Sequence, residues 1–290
     1  MQPLIDADVL VYEIGFSGQY KEDGEVIIRE WDFVQTLLEN KIELICAEVG
    51  ATQPPILFLT SNSTTISIEN RIRRFRGQPE ITFTPNFREL IAVQKGYKAN
   101  RKDSEKPFHY KNMIAHIMGA YICKVANGCE ADDLICIEQY GRLKKKDTII
   151  CTRDKDLRMC PGWHYGWECG RQASFGPHWV DELGEISLVK NKLTGTGLKF
   201  FFSQMLMGDP VDNIPGLPGM GPVGTYKVLE ECTTEWELMQ AVKKEYLRVY
   251  ENLLPAKKAF REQANLVWMV RERNEDGSLI FYKPPERKET

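Results

Sequence analysis

Thr148-Ile149-Ile150-Cys151-Thr152-Arg153-Asp154-Lys155-Asp156 is a short apolar run that ends in two acids. The run follows three lysines, 144–146, and is too short for a helix, so it reads as a buried strand. Acids just beyond the carboxyl end of a strand stand where functional groups of an open α/β sheet gather. Working outward, the same arrangement recurs at the start, where Leu4-Ile5 precedes Asp6. Ile56-Leu57-Phe58-Leu59, after Pro54-Pro55, reads as another buried strand. Between these runs the apolar residues change period. Trp31, Val34, Leu37, Leu38, Ile42, Ile45 and Val49 recur at helical spacing, as do Met113, Ile114, Ile117, Met118, Tyr121, Ile122 and Val125. Strands alternating with helices predict an α/β fold with a mostly parallel sheet.

Residues 61–109 are polar, basic and poorly periodic, which suits loops and surface helices. From about residue 197 the pattern turns helical, through 198–207, 223–232 and 235–269. Two of these helices flank a dense turn, Gly216-Leu217-Pro218-Gly219-Met220-Gly221-Pro222-Val223-Gly224. The tail 283–290 reads as disordered.

Four acidic groups fall at element ends. Asp6 follows the first strand, and Asp154 and Asp156 follow the strand quoted above. Glu130, Asp132 and Asp133 open a helix that continues through Leu134, Ile135 and Ile137, and Asp209 and Asp212 close the helix through Met207. Each group alone suits helix-dipole or turn chemistry. Together they repel one another, and such clusters persist when cations neutralise them. Oxygen-only ligands favour Mg²⁺ or Mn²⁺, and two such ions about 4 Å apart activate water and stabilise a leaving oxygen.

Composition agrees with this picture. The net charge is −3, yet these eight acids carry −8, which leaves the remainder at +5. Basic residues cluster at 71–76, 95–102 and 144–146, as expected around a site for a polyanion. The eight cysteines are scattered without a CxxC pair and read as reduced thiols of a cytoplasmic protein. Cys160, His164 and Cys169 are a weak zinc candidate. No apolar run approaches the roughly 20 residues needed to span a bilayer, and the start has no signal-peptide pattern.

Four blocks in order resemble the 5′-nuclease family of flap endonucleases, polymerase 5′-nuclease domains and phage 5′-exonucleases. They are Tyr97-Lys98-Ala99-Asn100-Arg101, Glu130-Ala131-Asp132-Asp133, Asp154-Lys155-Asp156, and Gly208-Asp209-Pro210-Val211-Asp212-Asn213-Ile214-Pro215-Gly216 running into Gly219-Met220-Gly221. Their compact spacing is most similar to the phage branch, which would place the protein in the host cytoplasm. The resemblance implies a PIN-like α/β core over 1–195 with a short helical arch at about 95–118. A DNA-binding helical region would follow over 196–282, with a helix–three-turn–helix motif.

It also implies roles. Asp6 and Glu130 would hold a first Mg²⁺ or Mn²⁺, with Asp132 between two ions. Asp154, Asp156 and Asp209 would hold the second, with Asp133 and Asp212 outside them. Lys98 and Arg101 would grip the scissile phosphate. Tyr97 would stack on a base or merely pack, and Lys102 would add a DNA contact. Gly219, Gly221, Gly224 and Lys227 would meet a duplex phosphate, with K⁺ on the carbonyls of the turn. The substrates implied are DNA with 5′ ends or flaps and RNA–DNA hybrid, degraded from the 5′ end, without a membrane. No protein partner is implied.

One departure stands out. The family carries another acid after its second strand, whereas residues 33–102 contain no Asp. Leu59-Thr60-Ser61-Asn62 or Thr84-Pro85-Asn86 occupies that place. Two other readings remain open. Ile5-Asp6-Ala7-Asp8-Val9 resembles the haloacid-dehalogenase phosphatase motif, with Asp6 as nucleophile and Asp8 as general acid. The missing acid also fits a binding relative without catalysis.

Overall fold

A computed structural model describes residues 1–101 and 105–286, Arg101 by its backbone alone. Its elements run β1 (Gln2–Asp6), α1 (Ala7–Ser17), β2 (Gln19–Glu22), β3 (Glu25–Ile28), α2 (Trp31–Glu48), β4 (Ile56–Thr60) and α3 (Ser63–Phe75). Then come α4 (Phe87–Ile91), α5 (Tyr110–Ala120), β5 (Ile122–Ala126), α6 (Ala131–Gly141), β6 (Thr148–Cys151), β7 (Gly162–Gly166) and β8 (Phe175–Val180). The chain ends with β9 (Ile186–Val189), β10 (Lys192–Gly195), α7 (Gly197–Met207), α8 (Pro222–Leu229), α9 (Glu235–Tyr250) and α10 (Leu253–Val267). Two compact units result: 1–86, 104–157 and 162–179 form the first, and 87–103, 158–161 and 180–290 the second.

The first unit is built on a six-stranded sheet in the order β5-β4-β1-β6-β7-β8. The four pairings from β5 through β7 are all parallel. Strand β1 sits centrally, with the chain winding outward to β5 on one side and to β7 on the other. The carboxyl ends of β4, β1 and β6 therefore meet at a topological switch point, where a crevice opens beyond the sheet. Both faces of the central strands are covered, so β1 and β6 are buried along their whole length. Leu10, Ile14, Leu38, Ile42, Ile45, Met113 and Ile117 from α1, α2 and α5 pack into one core with Ile5, Leu57 and Ile149.

One local expectation fails here for an identifiable reason. The periodic run expected as one helix over 113–125 breaks at Tyr121, and Ile122–Ala126 forms strand β5 instead. A pairing with β4 at Ile56↔Ile122 through Thr60↔Ala126 decides that segment. Residues 19–28 form a β-hairpin whose signal is Asp23-Gly24, both in the left-handed region (φ 50° and 86°). The span read as an arch is divided: 95–101 belongs to the second unit, while α5 is a core helix of the first.

The second unit is mainly helical, α7 to α10, with the β9–β10 hairpin. Phe201, Phe202, Trp268 and Tyr282 form its aromatic centre, with ring centroids 4.9–5.9 Å apart. Arg88 of α4 is fully buried there. Its guanidinium donates to the Leu266 carbonyl at 3.0 Å and the Trp268 carbonyl at 2.6 Å. It thus satisfies acceptors that the end of α10 leaves open, at the negative pole of that helix. Gly208 and Gly216 both have positive φ, and a Cβ on either would run into the backbone of the other. That close approach pins the loop 208–216. Residues 283–286 are irregular, and 287–290 of the expected disordered tail lie outside the described residues. No described helix is long and apolar enough to cross a membrane.

Candidate active site

In the first unit the acids gather at the carboxyl ends of the central strands. Asp6 ends β1 and caps α1, its Oδ1 accepting from the Val9 N–H at 3.3 Å. Its Oδ2 accepts from the Thr152 hydroxyl at 2.7 Å. Thr152, next after β6, also accepts from the Asp154 N–H at 2.9 Å, so one hydroxyl links the acids beyond two adjacent strands. Asp154 in turn accepts from the Asp156 N–H at 2.8 Å, and Lys155 pairs with Asp156 at 2.8 Å.

Thr60 plays the matching part at the end of β4. Its N–H donates to both oxygens of Asp8, at 3.2 and 3.0 Å. Its hydroxyl accepts from the Ala131 N–H at 2.9 Å, which brings the start of α6 to the same strand end. Glu130 caps α6 and donates its N–H to Asp133 at 3.0 Å; Asp133 is fully buried, while Asp132 is partly exposed. Capping by acids suits the positive end of a helix.

The electrostatics point to crowding. Burial, then the nearby Asp8 and Asp154 carboxylates, push the Asp6 carboxyl up to about 7, although hydrogen bonds from Thr152 and Val9 oppose the rise. The expected set does not, however, form a ready coordination cage. Among the described residues no group of three or more His, Cys, Asp or Glu side chains stands placed to hold one ion, including the zinc candidate at Cys160, His164 and Cys169. The acids are instead held by Thr60, Thr152 and Lys155.

The second unit carries the other half of the expected residues. Gly96–Arg101 packs on the loop 208–216: the Lys98 N–H donates to the Asp212 carbonyl at 3.0 Å, and Asn213 Nδ2 donates to the Gly96 carbonyl at 2.8 Å. Tyr97 donates its hydroxyl to Asp212 at 3.1 Å, and Lys98 Nζ lies 3.7 Å from the same carboxylate. With 8% of its surface exposed, Tyr97 is a packing residue and offers no face for a base. Asp212 is thereby tied to Tyr97 and Lys98. Asp209 is buried and accepts from the Val211 N–H at 2.8 Å. Gly219 and Gly221 are exposed with open space around them, and Lys227 is exposed on α8, which starts at Pro222. Lys102 lies outside the described residues.

The sequence reading missed Asp8 as a member of this site and placed it only in the phosphatase alternative. The signal present was its position two residues beyond Asp6; the Thr60 N–H, donating to both Asp8 oxygens, ties it to the end of β4. Aromatic residues recur over 163–179. Trp167 is buried, and Trp163 meets Trp179 edge-on at 5.5 Å.

No family model matches the chain. It is 30% identical over 145 residues to DNA polymerase I of Rhizobium leguminosarum, covering 47% of this chain and 13% of that protein. It is 26% identical over 138 residues to flap endonuclease Xni of Shewanella baltica (strain OS195), covering 46% of this chain and 49% of the relative. The chain thus spans about half the length of one curated relative and a small part of the other. The T5 D15 protein co-crystallised with metal ions aligns with 92% of this chain and 93% of its own, at 13% identity and a TM-score of 0.47, too low to carry an argument. The chain is thus similar to a flap endonuclease and to a DNA polymerase I, each over about half of its own length, in agreement with the four motif blocks.

Proposed function

We propose that the protein hydrolyses phosphodiester bonds of DNA from 5′ ends and at flaps, using divalent cations held at the carboxyl ends of β1, β4 and β6. The observation that carries this is Asp6, a buried carboxylate flanked by Asp8 and Asp154 and destabilised as an anion by both. A hard cation relieves that cost, and an oxygen-only donor set suits Mg²⁺ or Mn²⁺.

An ion is proposed among Asp6, Asp8 and Asp154, bound directly by one or two of them and through water by the rest, with Glu130, Asp132, Asp133 and Asp156 as neighbouring acids for a second. Asp8 takes the place left empty by the lack of an acid after β4, because its carboxylate is anchored on Thr60 at that strand end. Such cations supply Lewis acidity and a deprotonated water when bound. The chain's own residues orient them. Thr152 fixes Asp6 and the backbone of Asp154 together, and Thr60 fixes Asp8 and the start of α6.

In the second unit Lys98 and Arg101 are proposed phosphate contacts, with Asp212 holding Lys98. Gly219, Gly221 and Gly224, with Lys227, are a proposed duplex-phosphate contact at the start of α8, with K⁺ on the turn. Asp209 keeps its expected metal role by resemblance alone. RNA paired with DNA is a further proposed substrate. The phosphatase alternative fits less well, since Asp8 accepts two hydrogen bonds from Thr60 and is not set up to donate a proton. A 5′-labelled duplex and a flap, incubated in Mg²⁺ or EDTA with wild type and Asp154→Asn, test the proposal. Metal-dependent release of short 5′ products, lost in the variant, supports it. Tight binding without cleavage in Mg²⁺ or Mn²⁺ makes the chain a binding relative.

A further inference from the structure

The second unit holds a cavity of about 450 Å³ between α9 and α10, walled on one side by Tyr282–Pro284. Its floor is apolar, with Leu247, Leu253, Ala256 and Ala264 among the lining residues. Four cationic residues, Lys243, Lys257, Arg261 and Lys283, also line it, and no lining residue is acidic. Partial burial and the charge of Lys257 both lower the Lys243 pKa, so the cations are held close enough to disfavour one another. An anion seated there would relieve that repulsion.

We propose that this groove is a docking site for an acidic peptide that carries an apolar anchor residue. The charge pattern alone would also suit a nucleic-acid backbone, and the floor decides between them. Single-strand binding draws on exposed aromatic faces for stacking, and a phosphate backbone gains nothing from an apolar floor. The two rings of the helical floor, Tyr246 and Phe260, are 1% and 7% exposed and packed on each other at 5.6 Å. What the groove does offer is a side-chain-sized apolar pit rimmed by cations, with Leu247 and Leu253 themselves half exposed. That is the complement of one or two large apolar side chains flanked by Asp and Glu.

The test is fluorescence anisotropy in EDTA, so that cleavage plays no part. The probe is a labelled peptide of about a dozen residues, Asp and Glu around a central Leu-Phe pair. Lys257→Glu keeps an exposed helix position and removes a like-charge contact. Leu253→Asp puts an acid in the first turn of α10, where the helix dipole favours it. Both variants are therefore expected to fold. Each should weaken the peptide by about tenfold, and so should replacing Leu-Phe by Ser-Ser. Absence of binding, or binding unchanged in both variants, overturns the proposal. So does an oligo-dT probe that displaces the peptide and is itself weakened by Lys257→Glu, which would make the groove a nucleic-acid contact.

Discussion

Replacing Asp6 by Asn tests the central claim through stability, apart from any cleavage. The Asp6 carboxyl, ordinarily near 3.8, is pushed to about 7 in the folded chain by burial, Asp8 and Asp154. The folded state then holds a proton that the unfolded chain releases. Without metal, the wild type therefore has its full stability below about pH 4, loses it as pH rises, and reaches a floor above about pH 7. At 1.36 kcal/mol per pH unit the loss is about 4 kcal/mol. Asn cannot ionise, so Asp6→Asn escapes it. Its amide must face the Thr152 hydroxyl, which can accept but then needs another outlet for its proton, at a cost of about 1 kcal/mol.

The variant is thus expected to be more stable than wild type by about 3 kcal/mol at pH 8 in EDTA, and slightly less stable at pH 4. Urea unfolding across that pH range measures it. Mg²⁺ at about a hundred times its Kd should raise the wild type by about 2.7 kcal/mol at pH 8 and leave the variant nearly unmoved. Parallel pH–stability curves for the two proteins would refute the reasoning, because Asp6 would then not be an anion held among anions.

Other outcomes follow from the same contacts. Asp8→Asn keeps an oxygen for the Thr60 N–H and removes the charge beside Asp6, so it should stabilise the metal-free protein at pH 8 yet raise the Mg²⁺ midpoint of cleavage about tenfold, read from urea unfolding in EDTA and a metal titration. Thr152→Val removes the link between Asp6 and the Asp154 backbone; it should slow cleavage about 10- to 100-fold and cost about 1–2 kcal/mol by urea unfolding. Arg88→Met leaves the Leu266 and Trp268 carbonyls without their buried donor and should destabilise by about 3 kcal/mol in urea unfolding, against no loss if solvent replaces the donor.

Much of this was legible in the sequence. Runs of four or five apolar residues at 56–59 and 148–151, and the acids after Ile5 and Cys151, mark a sheet and its functional edge, because strand period and helix period differ. The blocks 97–101, 130–133, 154–156 and 208–221 marked a resemblance to 5′-nucleases, and similarity to a flap endonuclease and a DNA polymerase I agrees. Helix limits at Trp31–Glu48 and Gly197–Met207 followed from periodicity and flanking turns.

What the sequence could not decide were matters of partnership across distance. Ile122–Ala126 reads as the end of a helix until β4 offers a parallel edge, and then the pairing outweighs the local period. Tyr97 looks like a stacking residue until Asp212, 115 positions away, takes its hydroxyl. Arg88 reads as a surface cation, yet it is buried because the end of α10, 178 residues on, presents carbonyls that need a donor. Asp8 looks spare beside Asp6, and only the Thr60 N–H, donating to both its oxygens, ties it to the end of β4 and into the crowd of carboxylates. Periodicity and residue type are local properties, so the sequence by itself determined the central strands and the order of the acids along the chain. Charge compensation and hydrogen-bond partners are settled between segments far apart in the chain, so only the tertiary structure decided which acids share a site and what holds each of them there.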